Sequence, residues 1–191
     1  MKKILLAAAL TALTSTAFAA DLKPYIEGSV GYLDGSDSNA ADGKTVKQDG
    51  DLNYGIEIGL KDVLVPGVRL AGSITHSNPE PHFYQSGVDQ GAIKGLSLNI
   101  AMVNAYYDIK TNSPITPFVG VGLGGAKMSS GKDYEFAYAL MAGAKYNITN
   151  NIYIGAKGSF YRVNGLTSKS AGTEYSDSNL YTLNALVGYE F

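Results

Sequence analysis

In six segments of this chain, charge is confined to one residue parity, which makes each segment a two-faced strand. Successive strand side chains point to opposite surfaces, so a period of two gives each parity its own face. Segment 25–32 sets Ile26, Gly28, Val30 and Tyr32 against Tyr25, Glu27, Ser29 and Gly31. Segment 53–61 sets Tyr54, Ile56, Ile58 and Leu60 against Asn53, Gly55, Glu57, Gly59 and Lys61. Segment 68–75 opposes Val68, Leu70, Gly72 and Ile74 to Arg69, Ala71, Ser73 and Thr75. Segments 136–148, 152–160 and 181–191 repeat the pattern, with Lys145, Lys157 and Glu190 on the mixed face and Tyr146, Phe160, Val187, Tyr189 and Phe191 on the other.

A face that is apolar, aromatic and uncharged along every strand is dressed for lipid. A soluble sandwich or lipocalin-like barrel would carry charge outside and aromatics inside. Here the charged side is also the side of small residues, as in a narrow lumen. Strands enter a bilayer only as a closed barrel, because closure alone satisfies every backbone group.

Two further strands are less regular. Segment 115–125 puts Pro117, Val119, Val121 and Leu123 outward, with Phe118, Gly120, Gly122 and Gly124 inward. Segment 95–109 starts with Leu96, Leu98, Ile100 and Met102 outward. It ends with Val103, Ala105, Tyr107 and Ile109 outward and Asn104, Tyr106 and Asp108 inward. That parity switch predicts a bulge near Met102. The fold expected is therefore all-β, an eight-stranded antiparallel transmembrane β-barrel. Short connections at 62–67, 110–114 and 149–151 alternate with long polar ones at 33–51, 78–91, 127–133 and 163–178. Short periplasmic turns, longer outside loops and periplasmic termini are the connectivity of bacterial outer-membrane barrels. In this threading Tyr107, Tyr146, Tyr189 and Phe191 form a periplasmic girdle, and Tyr32, Tyr54, Tyr138, Phe160 and Tyr181 an outer one.

The first residues supply the export route. Lys2-Lys3, the apolar run from Ile4 to Leu13 and the exit Ala17-Phe18-Ala19 are the three parts of a secretory signal peptide. Residues 1–20 are expected to be removed, with cleavage after Ala19 or Ala20, leaving 21–191 as the barrel domain. That removal takes two of 15 basic residues and none of 17 acidic ones, so net charge moves from −2 to −4. An acidic chain without a basic cluster is not a nucleic-acid binder. There is no cysteine, so no disulfide supports the fold in the oxidising periplasm. Glycine is abundant and tyrosine outnumbers phenylalanine 14 to 6, as suits strands with aromatic girdles.

Four short runs carry a resemblance: Asn104-Ala105-Tyr106-Tyr107-Asp108, Thr116-Pro117-Phe118-Val119-Gly120-Val121-Gly122, Tyr146-Asn147-Ile148-Thr149 and Val187-Gly188-Tyr189-Glu190-Phe191. In them the chain resembles the opacity-type surface-antigen family of bacterial outer-membrane barrels, across essentially its whole mature length. The resemblance implies that Val187, Tyr189 and Phe191 form the C-terminal signal read by the barrel-assembly machinery. It also implies adhesion to a host through the outside loops, although no loop here shows a transferable motif.

Residues that could carry chemistry are few. Glu27, Glu57 and Glu190 share the inward parity with Arg69, Lys145 and Lys157. In a lumen only wide enough for side chains, they are expected to pair as a structural plug rather than line an ion path. His76, Glu80 and His82 hold two kinds of zinc donor, but Pro79 and Pro81 break their spacing and no fourth donor is near, so no metal is expected. His76-Ser77 is not a nucleophile–base pair, because adjacent strand residues face opposite ways. No Gly-x-Ser-x-Gly elbow is present. The glycines of 120–125 lack a phosphate loop's Lys-Ser/Thr and instead make room for inward neighbours. Asp34, Asp37, Asp42, Asp49 and Asp51 lack EF-hand order and read as a solvated, mobile loop.

These readings lead to a non-enzymatic surface barrel without cofactors, an adhesin or antigen or an envelope support, embedded in outer-membrane lipid. A narrow channel for small solutes or ions is the second possibility, and a lipid-acting enzyme the third. The export reading has a direct check: N-terminal sequencing of the outer-membrane protein should begin at Ala20 or Asp21, and an intact Met1 would refute it.

Overall fold

The structure is a computed structural model. It describes residues 23–35, 38–39, 44–47, 50–78, 82–85, 88–92, 97–129, 134–164, 167–168, 173–174 and 178–191. The predicted signal peptide lies outside them. Eight long strands form a closed barrel: β1 (Lys23–Gly35), β2 (Asp51–Lys61), β3 (Val68–Ser77), β4 (Leu98–Asp108), β5 (Ile115–Met128), β6 (Glu135–Asn147), β7 (Ile152–Val163) and β8 (Ser178–Glu190). Each pairs antiparallel with its sequence neighbours, and β1 pairs with β8 to close the ring. Closure leaves no sheet edge in the lipid layer.

Register places the two parities as the alternation requires. Tyr25, Glu27, Glu57, Arg69, Lys145 and Lys157 are buried inside, whereas Val30, Tyr32, Tyr54, Ile58, Leu183 and Tyr189 are exposed outside. One expectation fails. Strand β4 pairs without interruption to β3 and β5 from Leu98 to Asp108, so Met102 sits at no bulge. Leu98, Ile100 and Met102 point inward with Asn104, Tyr106 and Asp108, and all six are buried. Leu98, Ile100 and Met102 join Leu33, Ala126, Ala137, Ala139, Tyr161, Val163 and Leu180 as the outer part of an apolar cluster that continues down the lumen to Tyr106 and Phe118. The lumen is therefore charged below and largely apolar above, where Asn53 and Ser77 are also buried, and on β4 the outward Ala101 and Val103 are apolar as well.

The turn 62–67 is tightly built. Asp62, Leu64 and Gly67 have φ of 59°, 67° and 94°, and the Gly67 amide donates to the Asp62 carboxylate at 2.8 Å. The first and second outside loops add backbone order that the sequence reading missed. Ser38–Asn39, Lys44–Lys47, His82–Gln85 and Val88–Ala92 form a four-stranded sheet joining the two loops. The Asp-rich first loop thus contributes two strands rather than only solvated chain, although Asp37, Asp42 and Asp49 lie outside the described residues. A small hairpin pairs Thr167–Ser168 with Thr173–Glu174.

The inward glycines of β5 create space for large neighbours. A Cβ on Gly120 would lie 2.3 Å from Tyr106 Cδ1 and 3.1 Å from the Ala105 carbonyl. Outward Gly72 has nothing within 4 Å of such a carbon. Gly120→Ala should therefore lower stability by about 1–3 kcal/mol through overpacking, while Gly72→Ala stays within about 0.5 kcal/mol of the parent. Urea unfolding in lipid vesicles measures both, and equal midpoints would contradict the packing described.

Candidate functional site: the charged lumen

The lower lumen holds four carboxylates, Glu27, Glu57, Asp108 and Glu190, and four cations, Lys61, Arg69, Lys145 and Lys157. Their charges cancel. Alternation turns each inward, and a barrel of this size brings opposite walls within side-chain reach.

Glu27 and Glu57 are direct partners across β1 and β2, where like charges repel. Lys157, from β7, sits between them with its ammonium 3.0 Å from Glu27 Oε1 and 3.7 Å from Glu57 Oε2. Neutral donors complete the two carboxylates. Tyr25, Tyr106 and Asn104 donate to Glu57 at 2.7, 2.6 and 3.0 Å, and Tyr153 donates to Glu27 at 2.9 Å.

A second cluster lies nearer the periplasmic mouth. Asp108 accepts from Arg69 Nε at 3.0 Å and from Lys145 Nζ at 2.8 Å. Glu190 lies 3.6 Å from Lys145 and 2.7 Å from Lys61. The Arg69 guanidinium is 1% exposed and lies 4.5, 5.1 and 5.3 Å from the ring centroids of Tyr106, Phe118 and Tyr25. Stacking on ring faces suits a weakly hydrated guanidinium where water is excluded. The Lys61–Glu190 pair is partly exposed at the mouth and contributes little stability. The deeper pairs matter more, because a buried charge without its partner costs several kcal/mol, on the order of 3–5.

All six charged residues singled out in the sequence thus lie in this network, which also includes Asp108 and Lys61. Both additions stand on the inward parity, where a count of charged residues would have found them. The tyrosine donors also stand on the inward parity, but alternation alone assigns them no partner. Above Glu57 the lumen holds a small polar cavity lined by Ser73, Asn104 and Asn184, room for about one water. The Oδ1 atoms of Asn104 and Asn184 have no protein partner among the described residues.

The other candidates separate. His76 lies outward, its ring nitrogens 2.8 Å from Asn99 Oδ1 and 3.2 Å from Asn78 Oδ1, while the Ser77 hydroxyl turns inward and donates to the Leu52 carbonyl. Glu80 and the His82 side chain lie outside the described residues, among which no group of three His, Cys, Asp or Glu could hold a metal. Val187, Tyr189 and Phe191 are exposed on the lipid face, with the last two rings 4.9 Å apart. The Phe191 amide donates to the Pro24 carbonyl.

Comparison with known proteins agrees with this architecture. The family described as outer membrane protein beta-barrel domain matches residues 5–191. Protein opa of Haemophilus influenzae is 28% identical over 137 residues, covering 66% of this chain and 97% of its own length. An uncharacterized protein of Brucella abortus is 34% identical over 85 residues, which are 34% of this chain and 30% of that protein. The chain therefore spans under a third of the Brucella relative's length. Among solved structures, Neisserial surface protein A superposes with a TM-score of 0.60 at 18% identity, covering 88% of this chain and 97% of that one. OprG of Pseudomonas aeruginosa gives 0.59 at 14% identity, covering 88% and 95%. At such identities the likeness speaks for the fold.

Lys157 is the residue whose removal strands most charge. Lys157→Met should destabilise the barrel by about 3–5 kcal/mol, since two facing carboxylates lose their shared cation. Adding Glu27→Gln should restore part of that loss by removing one of them. Denaturant titration in vesicles reads both variants, and a Lys157→Met protein as stable as the parent would exclude the network as a structural element.

Proposed function

Because this chain belongs to the outer-membrane protein β-barrel domain family, we propose that it is a closed membrane scaffold acting through its outside loops, as an adhesin or surface antigen, and not as an enzyme. It resides in the outer membrane. One observation carries the reading: the lumen is filled by compensated charge below and an apolar layer above. Among the described residues, neither half offers a continuous wetted path or a nucleophile beside a base. The surface left for recognition is the loop sheet built from Lys44–Lys47, His82–Gln85 and their neighbours above the barrel. The resemblance to the opacity-type surface-antigen family favours the same side of the molecule. Barrel-assembly machinery is the partner that the outward Phe191 and Tyr189 would meet during insertion.

The test separates display from conduction. The refolded protein should bind host cells or extracellular-matrix components. Replacing residues 38–47 and 82–92 with short Gly-Ser turns should abolish that binding while the barrel still folds. Planar-bilayer recordings of the parent should show no steady channel. A selective conductance whose ion preference changes with Glu57→Gln or Lys157→Met would establish the narrow channel instead.

A further inference from the structure

We infer that the outer rim of β5, β6 and β7 binds the phosphates of a phosphorylated glycolipid in the surrounding leaflet. On the lipid-facing parity of the eight strands, lysine or arginine occurs at two places, Lys127 near the end of β5 and Arg162 near the end of β7. Their neighbours Ala126 and Val163 are fully buried inside the barrel, which turns both cations to the lipid side. Arg162 stands ten residues beyond Ile152, at the start of β7. At about 3.3 Å per residue and a tilt near 40°, that is roughly 25 Å, the height of the apolar band. Both cations are therefore at the level of headgroups, where a charge on the outer wall is tolerated.

Each cation stands beside an aromatic ring at or just before β6. The Lys127 ammonium lies 5.8 Å from the Tyr134 ring centroid, and Arg162 is the direct cross-strand partner of Tyr138. Beneath Arg162, the rings of Phe160 and Tyr181 are 5.3 Å apart and supply an apolar floor. The arrangement is one-sided. At the same level β1 to β4 present Asp34, Leu52, His76 and Asn99, with no lysine or arginine. Lysine and arginine also anchor proteins at the interface, but anchoring would be served equally all round the barrel. Two cations on one arc, one strand apart and offset by four residues along it, start about 16 Å apart at the backbone, and their long side chains can converge on a headgroup whose phosphates are spaced by sugar. A guanidinium can fork two phosphate oxygens, while the ammonium acts as a point charge.

The refolded full-length barrel in neutral detergent, titrated with bisphosphorylated lipid A and followed by native mass spectrometry, tests the site. The parent should carry lipid A adducts. The double variant Lys127→Gln/Arg162→Gln should carry at least tenfold less at equal lipid, and Lys110→Gln in a periplasmic turn should match the parent. Only folded protein is counted, from its heat-sensitive gel band, so a folding defect does not mimic lost binding. The dephosphorylated lipid and inorganic phosphate should both fail to bind or compete. Equal lipid A binding by the double variant overturns the assignment, as does equal binding of the dephosphorylated lipid. Competition by inorganic phosphate at comparable concentration would overturn the lipid in favour of a simple anion site.

Discussion

Unpaired backbone amides and carbonyls are intolerable in lipid, and the remaining features of this molecule follow from that constraint. It requires the sheet to close, and closure of eight strands leaves an interior too narrow for anything but side chains. The inward parity must then be filled by groups that satisfy one another. This chain uses two solutions in one lumen, a neutral mesh of ion pairs in the lower part and an apolar packing at the outer end.

The lower solution is bound up with the barrel's curvature. Of the six ion pairs among the described residues, Arg69–Asp108 joins adjacent strands, and the other five reach over at least one intervening strand. Hydrogen bonds hold each strand to its neighbour, while these contacts hold walls that do not touch. Tyrosine hydroxyls and the Asn104 amide then occupy carboxylate oxygens that a cation alone would leave bare. Satisfying the carboxylate oxygens in this way makes these buried charges tolerable.

The strands and their facing were legible because charge on the lipid side is excluded along the whole span, so alternation is enforced residue by residue. Glu57 and Lys157 could be placed inside from parity alone. Strand β4 was misread where that enforcement lapses. At the outer end the lumen is apolar, so Leu98, Ile100 and Met102 looked as lipid-worthy as Val103 and Tyr107, and a bulge was expected where the register is continuous. Asp108 was placed inside, yet its part as the shared acceptor of Arg69 and Lys145 needed the distance between strands, which periodicity does not contain. The loop sheet was hidden for a related reason. Its short strands lie above the membrane, where no lipid imposes a parity.

Strands β1 and β8, the two ends of the barrel, meet at a seam. Three ion pairs straddle it: Lys157 with Glu27, Lys157 with Glu57, and Lys61 with Glu190. While the ring is open, the N-terminal hairpin holds Glu27 and Glu57 side by side without their cation. A slip of one residue at the seam would turn Glu27 into lipid and strand Lys157. Zipping the last strand into place and discharging the first hairpin are thus one event, so the half-closed ring is penalised and the correct register is rewarded at the same moment. These three pairs exist only in the closed ring at its native register.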